Sequence, residues 1–250
     1  MVKVIRILLI DIETAPNTAF VWGIFKENIP LARLIDSGYV MCFSAKWLGS
    51  EEIVFDSVHK SGPKEMLRKV HALMDEADAI VHYNGNRFDI PTLNKEFLLH
   101  GFAPPSPAKQ IDLYLTVRKV FRFVSNKLDY VAQQLGIGKK HDTTFELWVG
   151  CMHGSEEDWE IMEEYNRNDV VILEGVYNRV RPWIKNHANY GLFSEDGLVC
   201  PNCGSNKFQK RGFAYTHAGK YQRYQCNNTE CHNWFRSKKA EKTNTFVNIN

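Results

Sequence analysis

The chain has 250 residues, 44% hydrophobic and 24% charged, with a formal net charge of +2. That is an ordinary globular composition with room for one full domain and a small appendage. No apolar run approaches the roughly 18 residues of a membrane span, and the start Met1-Val2-Lys3-Val4-Ile5-Arg6 has no cleavage-type stretch of small residues, so a cytoplasmic, unprocessed protein with no membrane contact is expected.

Val4 to Ile12 is apolar on both faces, the pattern of a strand at the centre of a covered sheet. Strand-like runs follow at Tyr39–Trp47 and Ile53–Val58, joined by the hairpin-like turn Leu48-Gly49-Ser50-Glu51. Pro63 opens a helix whose Met66, Leu67, Val70, Leu73 and Met74 share one face. Ala79–Tyr83 is a short β-branched strand, Asn84-Gly85-Asn86 a turn, and Pro91–Leu99 a helix stopped by Gly101. Residues 104–107, rich in proline, are loop. Helical segments are expected at Leu113–Val120 and Leu128–Leu135. Ser155 and Asp158 form a capping-box signal for a last long helix reaching about Arg181. The order of elements predicts an α/β fold, a mixed sheet flanked by helices over residues 1–187, then a linker at 188–197, a ribbon at 198–238 and a polar tail at 239–250.

Asp11 and Glu13 close the first strand, and alternation points both side chains to one face. The pair alone carries little weight, because Asp158-Trp159-Glu160 repeats the pattern. That second pair is explained by its place in a first helical turn, where acids complement the helix dipole. Asp11 and Glu13 instead follow Ile7-Leu8-Leu9-Ile10, where burial is expected. On the last helix, Met162, Tyr165, Leu173, Val176 and Val180 fall on one face, with Asp169 in the middle of the stripe. A carboxylate facing a core costs several kcal/mol unless it is paired or bound to a metal. Three inward acids suggest a shared cation. Asp89, beside a helix start, has a local explanation as well.

Residues 198–250 hold nine Lys/Arg and two Glu, for +7, so the rest of the chain carries −5. A basic tail on an acidic body suggests contact with a polyanion there. In this tail Cys200-Pro201-Asn202-Cys203 and Cys226-Asn227-Asn228-Thr229-Glu230-Cys231 give paired cysteines on two knuckles, the requirement of a structural tetrahedral Zn²⁺. Cys42 and Cys151 are expected to be buried thiols.

Taken in order, the acidic segments resemble the DEDD superfamily of exonucleases, which has the ribonuclease H-like fold, and specifically its tyrosine branch. Asp11-Ile12-Glu13 resembles the first motif, Asn84-Gly85-Asn86-Arg87-Phe88-Asp89 the second and Tyr165-Asn166-Arg167-Asn168-Asp169 the third. The histidine branch would place His five residues before the last Asp, where Glu164 stands. Arg87–Leu93 and Lys127–Gly136 are similar to exonucleases related to the proofreading domain of family-B DNA polymerases. The resemblance spans about residues 4–185 and departs at none of the five core positions.

The resemblance implies release of nucleoside 5′-monophosphates from a 3′ end with two Mg²⁺ or Mn²⁺, ions that oxygen ligands favour. Asp11, Glu13 and Asp169 would hold the ion carrying the attacking water, Asp11 would reach the second ion, Asp89 would assist, and Tyr165 would orient the water. Nucleic-acid contacts are expected from Asn84 and Phe88, from Arg118 and Arg122 in a basic-aromatic stretch, and from Lys210, Arg211, Tyr221 and Arg223 in the ribbon. The expected partner is DNA, as single strand or as the 3′ ends of duplex, with a polymerase or another replication or repair protein beside it. The alternatives are an RNA exonuclease of the ribonuclease D type and a non-catalytic, zinc-dependent nucleic-acid-binding protein. A DDE-type recombinase is disfavoured, since Glu13 and the Tyr165–Asp169 pair have no role there.

Overall fold

Four consecutive apolar residues, Ile7 to Ile10, are fully buried at the start of strand β1 (Ile7–Thr14), which therefore takes the middle of a sheet rather than an edge. The computed structural model describes residues 5–195 and 197–246. The chain forms two compact units, Arg6–Tyr177 and a second made of Asn178–Asn250 with Met1–Ile5.

In the first unit β1 is followed by the short strands β2 (Thr18–Ala19) and β3 (Leu34–Asp36), which pair with each other. Then come β4 (Val40–Trp47), β5 (Ile53–Ser57), helix α1 (Val58–Ser61), α2 (Pro63–Glu76), β6 (Ala79–His82), α3 (Asp89–Leu99), β7 (Lys109–Asp112), α4 (Leu113–Val120), α5 (Leu128–Gln134), α6 (Phe145–Met152) and α7 (Glu156–Val180). The main sheet has the order β5-β4-β1-β6-β7. β4 lies antiparallel to β1 and β5, while β6 runs parallel to β1 and β7. One core packs Leu8, Ile10, Ile12 and Phe43 against Met66, Leu67 and Val70 of α2 and Leu93 and Phe97 of α3. Another packs Met41 and Phe55 against Leu147 and Cys151 of α6 and Trp159, Met162 and Tyr165 of α7. The sheet is thus covered on both faces, as its apolar β1 requires.

Several details differ from the expectation. Strands β2, β3 and β7 and helices α1 and α6 have no counterpart in it, Val58 opens α1 instead of closing β5, and Lys242–Thr243, expected in a polar tail, pair as a strand with Gly219 and Lys220. Helix α3 begins at Asp89 rather than at Pro91, so Pro91 sits in the first turn, where its missing N–H costs no hydrogen bond. The capping box at α7 is half formed: Ser155 Oγ accepts from Asp158 N–H at 3.3 Å, but Ser155 N–H goes to Gly150 O. As expected, Cys42 and Cys151 are buried.

In the second unit the segment 188–197 carries a 3-10 turn at Tyr190–Leu192, and Tyr190 N–H donates to Pro201 O at 2.9 Å. Strands β8 (Phe208–Tyr215), β9 (Gly219–Cys226), β10 (Trp234–Arg236) and β11 (Lys242–Thr243) form an antiparallel sheet centred on β9. The ring centroids of Phe208, Tyr224 and Phe235 lie 5.4–5.6 Å apart, Tyr224 stacked on Phe235 and Phe208 edge-on to both.

Candidate functional site

Strand alternation puts Asp11 and Glu13 on one side of β1, opposite Ser44 and Cys42 of β4. α7 brings Asp169 to them: ligand oxygens of Asp11, Glu13 and Asp169 lie within 4.8 Å of one another. Asp169 is fully buried at the centre of the stripe of Met162, Tyr165, Leu173 and Val176. Asp89, at the start of α3, is also buried and stands outside this trio, although its charge is felt at Asp11 and Glu13.

The carboxyls repel one another in a site where Asp169 and Asp89 are buried and Asp11 and Glu13 half-buried. Burial first, then the charges of Asp169, Glu13 and Asp89, push Asp11 well above the usual carboxylate range. Burial lifts Glu13 to about 8 and Asp89 to about 6. It raises Asp169 against the pull of the Lys140 ammonium. Burial and the Asp169 carboxylate push the Tyr165 phenol up to about 12, so it keeps its proton at neutral pH.

Two residues to which the sequence assigned no role complete the cluster. Lys140 Nζ bonds Asp169 Oδ2 and lies 3.3 Å from Tyr165 Oη. Burial disfavours this ammonium, but Asp169 and Asp11 outweigh that and hold its pKa above the usual lysine value. Asn166 Nδ2 donates to Asp11 Oδ2 at 2.8 Å. Lys140 lies in the loop after α5, where no periodicity points to it. Asn166 was legible only as the residue after Tyr165 on an inward helix face.

Even with Lys140 present, Asp169 Oδ1 is buried without a hydrogen-bond partner. One ammonium facing three or four carboxyls leaves the cluster under-neutralised. Converging hard oxygens, with one buried acceptor unsatisfied, fit a divalent cation such as Mg²⁺ or Mn²⁺.

Beside this cluster lies a cavity of about 550 Å³ lined by Tyr83, Asn84, Arg87, Tyr114, Asn126 and Lys140, among others. Asn84 has φ +66° at the turn after β6, and Phe88 is half exposed just before α3. Arg118 and Arg122 are exposed on and after α4 and do not line this cavity.

In the second unit, the sulfurs of Cys200, Cys203, Cys226 and Cys231 also lie within 4.8 Å of one another, and none is in a disulfide. Sγ–Sγ separations are 3.9 Å for Cys200–Cys231 and 3.7 Å for Cys203–Cys226. A tetrahedron with Zn–S bonds of about 2.3 Å has edges of about 3.8 Å, so the four thiols fit Zn²⁺. Asn202 Nδ2 donates to Cys231 Sγ at 3.5 Å, as an outer partner of a metal ligand does. Of the four ribbon residues expected to meet nucleic acid, Arg211, Tyr221 and Arg223 join one aromatic-basic face, while Lys210 pairs with Tyr224 on the cysteine side.

The profile of the ribonuclease H superfamily matches residues 34–181, a span that includes Asp89, Tyr165 and Asp169 but begins after Asp11 and Glu13. Among solved structures, the family B DNA polymerase from the hyperthermophilic archaeon Pyrobaculum calidifontis is similar, with a TM-score of 0.55 and 17% identity. That match covers 86% of this chain and 31% of the polymerase, so the chain spans about a third of its length. At that identity the likeness concerns the fold. A comparison with curated proteins finds no match. Among the described residues no helix is long and apolar enough to cross a membrane. With its mixed sheet, its helices on both faces and the profile spanning more than half of the sequence, the chain belongs to the ribonuclease H superfamily.

Proposed function

We propose that the protein is a metal-dependent 3′→5′ exonuclease that shortens DNA to nucleoside 5′-monophosphates. The observation that carries the reading is the convergence of Asp11, Glu13 and Asp169 beside Tyr165, with one buried oxygen of Asp169 left without a hydrogen-bond partner. Asp11, Glu13 and Asp169, with Asp89 in support, would hold divalent ions, which supply Lewis acidity that activates a water and stabilises the leaving oxygen. Asn166 fixes one oxygen of Asp11, so that carboxylate enters the site already oriented. Tyr165 Oη, protonated at neutral pH, orients a water by hydrogen bonding rather than by removing its proton. The Lys140 ammonium sets a fixed positive charge beside Asp169, where it offsets negative charge growing on a phosphoryl group. Asn84 and Phe88 flank the cavity side of the site and are suited to the terminal nucleotide. The likeness to a DNA polymerase favours DNA over RNA. The cysteine cluster, with one structural Zn²⁺, holds a basic module that adds affinity for the strand.

Digestion of 5′-end-labelled single-stranded DNA, duplex DNA and RNA with Mg²⁺ or Mn²⁺ tests the proposal. The expected result is a ladder shortening from the 3′ end of DNA, with free mononucleotides as the other product. Faster digestion of RNA would replace the substrate with RNA. Failure to digest any of the three would leave a nucleic-acid-binding protein in place of the enzyme.

A further inference from the structure

In the second unit the sheet has two unlike faces. β9 pairs Phe208 with Cys226 and Tyr224 with Phe235, so these side chains share the side that carries the cysteine cluster. Their three rings, Tyr224 stacked on Phe235 and Phe208 edge-on to both, are the small core of the unit. Alternation sends Tyr221, Arg223 and Gln225 of β9, and Trp234 and Arg236 of β10, to the opposite side. That side has no core to build, since Trp234 is 49% exposed.

Its rings are nonetheless organised. The guanidinium carbons of Arg223 and Arg211 lie 5.0 and 5.9 Å from the Trp234 ring centroid, and that of Arg236 lies 3.8 Å from Tyr221. Arg223 is fixed by its Nε–H, which donates to Arg211 O at 2.9 Å. Each guanidinium stacked on a ring keeps donors for a phosphate. Trp234, on the edge strand β10, also borders a cavity of about 430 Å³ whose walls include Trp183, Lys185, Asn189 and Asn233 and, from the cysteine side, Asn202 and Phe235. That volume suits a small planar group. The half-buried Asn233 amide offers a donor and an acceptor to the edge of a base, whereas Asn202 is committed to Cys231 and Asn189 to Gly191.

We infer that this face binds single-stranded nucleic acid, with an unpaired base stacked at Trp234 and flanking phosphates held by Arg211, Arg223 and Arg236. The charge of +7 over residues 198–250 fixes the sign of the ligand. The rings fix its form, because an aromatic ring can stack on a base only where that base is not covered in a duplex. The choice of ligand rests on the nucleic-acid reading above, while the binding does not depend on hydrolysis.

The test uses the full chain carrying Asp11→Asn, to prevent digestion, and measures anisotropy of labelled oligothymidylate and of a labelled blunt duplex. Trp234→Ala should weaken single-strand binding by roughly 5- to 100-fold, the range for one base–aromatic stack, and change duplex binding much less. Arg223→Ala should lower the salt slope for single strands by about 0.7, the share of one neutralised phosphate. Zinc content equal to that of the parent shows that the ribbon is intact in each variant. The conservative Trp234→Phe gives a second readout: affinity within about threefold of the parent, with part of the tryptophan quenching by oligothymidylate gone. Unchanged affinity in zinc-replete Trp234→Ala, equal losses for single strand and duplex, or undiminished quenching in Trp234→Phe would each overturn the inference, and a protein partner would become the occupant to seek. A chain that binds through Trp234 yet digests nothing would sink the nuclease reading and keep this one. A nuclease indifferent to Trp234 would do the reverse.

Discussion

Asp169 is wholly buried, its Oδ2 is met by Lys140 and its carboxylate is steadied by the Tyr165 hydroxyl, but Oδ1 has no hydrogen-bond partner of its own. Without divalent ions, the first unit therefore folds against repulsion among Asp11, Glu13, Asp169 and Asp89. The sign of the pH effect follows. Glu13 titrates near 8 in the folded chain against about 4.3 in an unfolded one, and Asp11 is raised too. The native state binds more protons across that window, so its stability falls as pH rises from about 4.5 through 8. Asp11→Asn removes one of the repelling charges. In protein freed of Mg²⁺ and Mn²⁺ but retaining zinc, this variant should melt above the wild type at pH 8, by about 2–4 °C for each kcal/mol relieved. The gap should close near pH 4.5. Added Mn²⁺ should raise the melting temperature of the wild type far more than that of the variant, and nuclease activity should fall by more than tenfold. Melts at the two pH values, with and without Mn²⁺, check this; a wild type more stable than Asp11→Asn at pH 8 without metal would remove the repulsion argument. The acids were legible because a polar residue on an apolar stripe is anomalous wherever it occurs. Lys140 was not, since its partner lies 29 residues away and its neighbour Lys139 pairs locally with Asp142 in the same loop.

Asp89 is placed by the turn between β6 and α3, and that turn is tied to the ends of two strands. Asp112, the last residue of β7, accepts from Asn84 N–H at 3.0 Å and Asn86 N–H at 3.3 Å, and its Oδ1 also caps α4 at Leu115. His82, the last residue of β6, accepts from Gly85 N–H through Nδ1 at 3.1 Å and meets Gln110 Oε1 through Nε2. Burial holds the His82 pKa low against the pull of Asp112, so the ring stays neutral and Nδ1 keeps its lone pair for Gly85. Gly85 is required by contact, because a Cβ there would lie 2.4 Å from His82 Cγ. Gly85→Ala must move the turn or the ring. It should cost about 1–3 kcal/mol of stability as an overpacked site and lower kcat by tenfold or more through displaced Asn84 and Asp89. Full kcat in Gly85→Ala at saturating substrate would show that the turn does not position the site. From the sequence this network could be seen only in part. Asn84-Gly85-Asn86 announces a turn, but β7, Lys109-Gln110-Ile111-Asp112, has no apolar alternation and owes its place to pairing along the edge of β6. Helix α6 escaped for a related reason: Thr144 and Glu146 are helix-start residues by type, but the eight residues Phe145–Met152 are apolar apart from Glu146 and Gly150 and show no period of their own. The long strands and α2 and α7 carry their own periodicity, whereas β7 and α6 are made by what they pack against.

Across the whole chain, charge is divided as the chemistry would divide labour. The acidic positions proposed for hydrolysis lie before residue 170, in the part that carries −5, and the +7 lies after residue 197. Four thiolates around one Zn²⁺ would reduce the latter to about +5, still attractive to a phosphate backbone. In the first unit that attraction is local, from Lys140 and Arg87 beside the cluster, from Arg118 and Arg122 on and after α4, and from whatever cations its carboxylates hold. If the second unit supplies affinity and takes no part in chemistry, Cys231→Ser should unfold the ribbon through loss of zinc and leave the carboxylate cluster of the first unit untouched. KM for a long single strand should then rise while kcat stays within about twofold, the pattern of weakened uniform binding. A strand too short to reach the ribbon should show neither change. The salt dependence of binding should flatten too, by about 0.7 in log–log slope for each phosphate of a single strand that the protein no longer neutralises. Steady-state kinetics on a short and a long oligonucleotide at two salt concentrations measure all of these. A fall in kcat on the short strand would place part of the second unit in the chemistry. An unchanged KM and salt slope on the long strand would mean that its basic surface meets a protein.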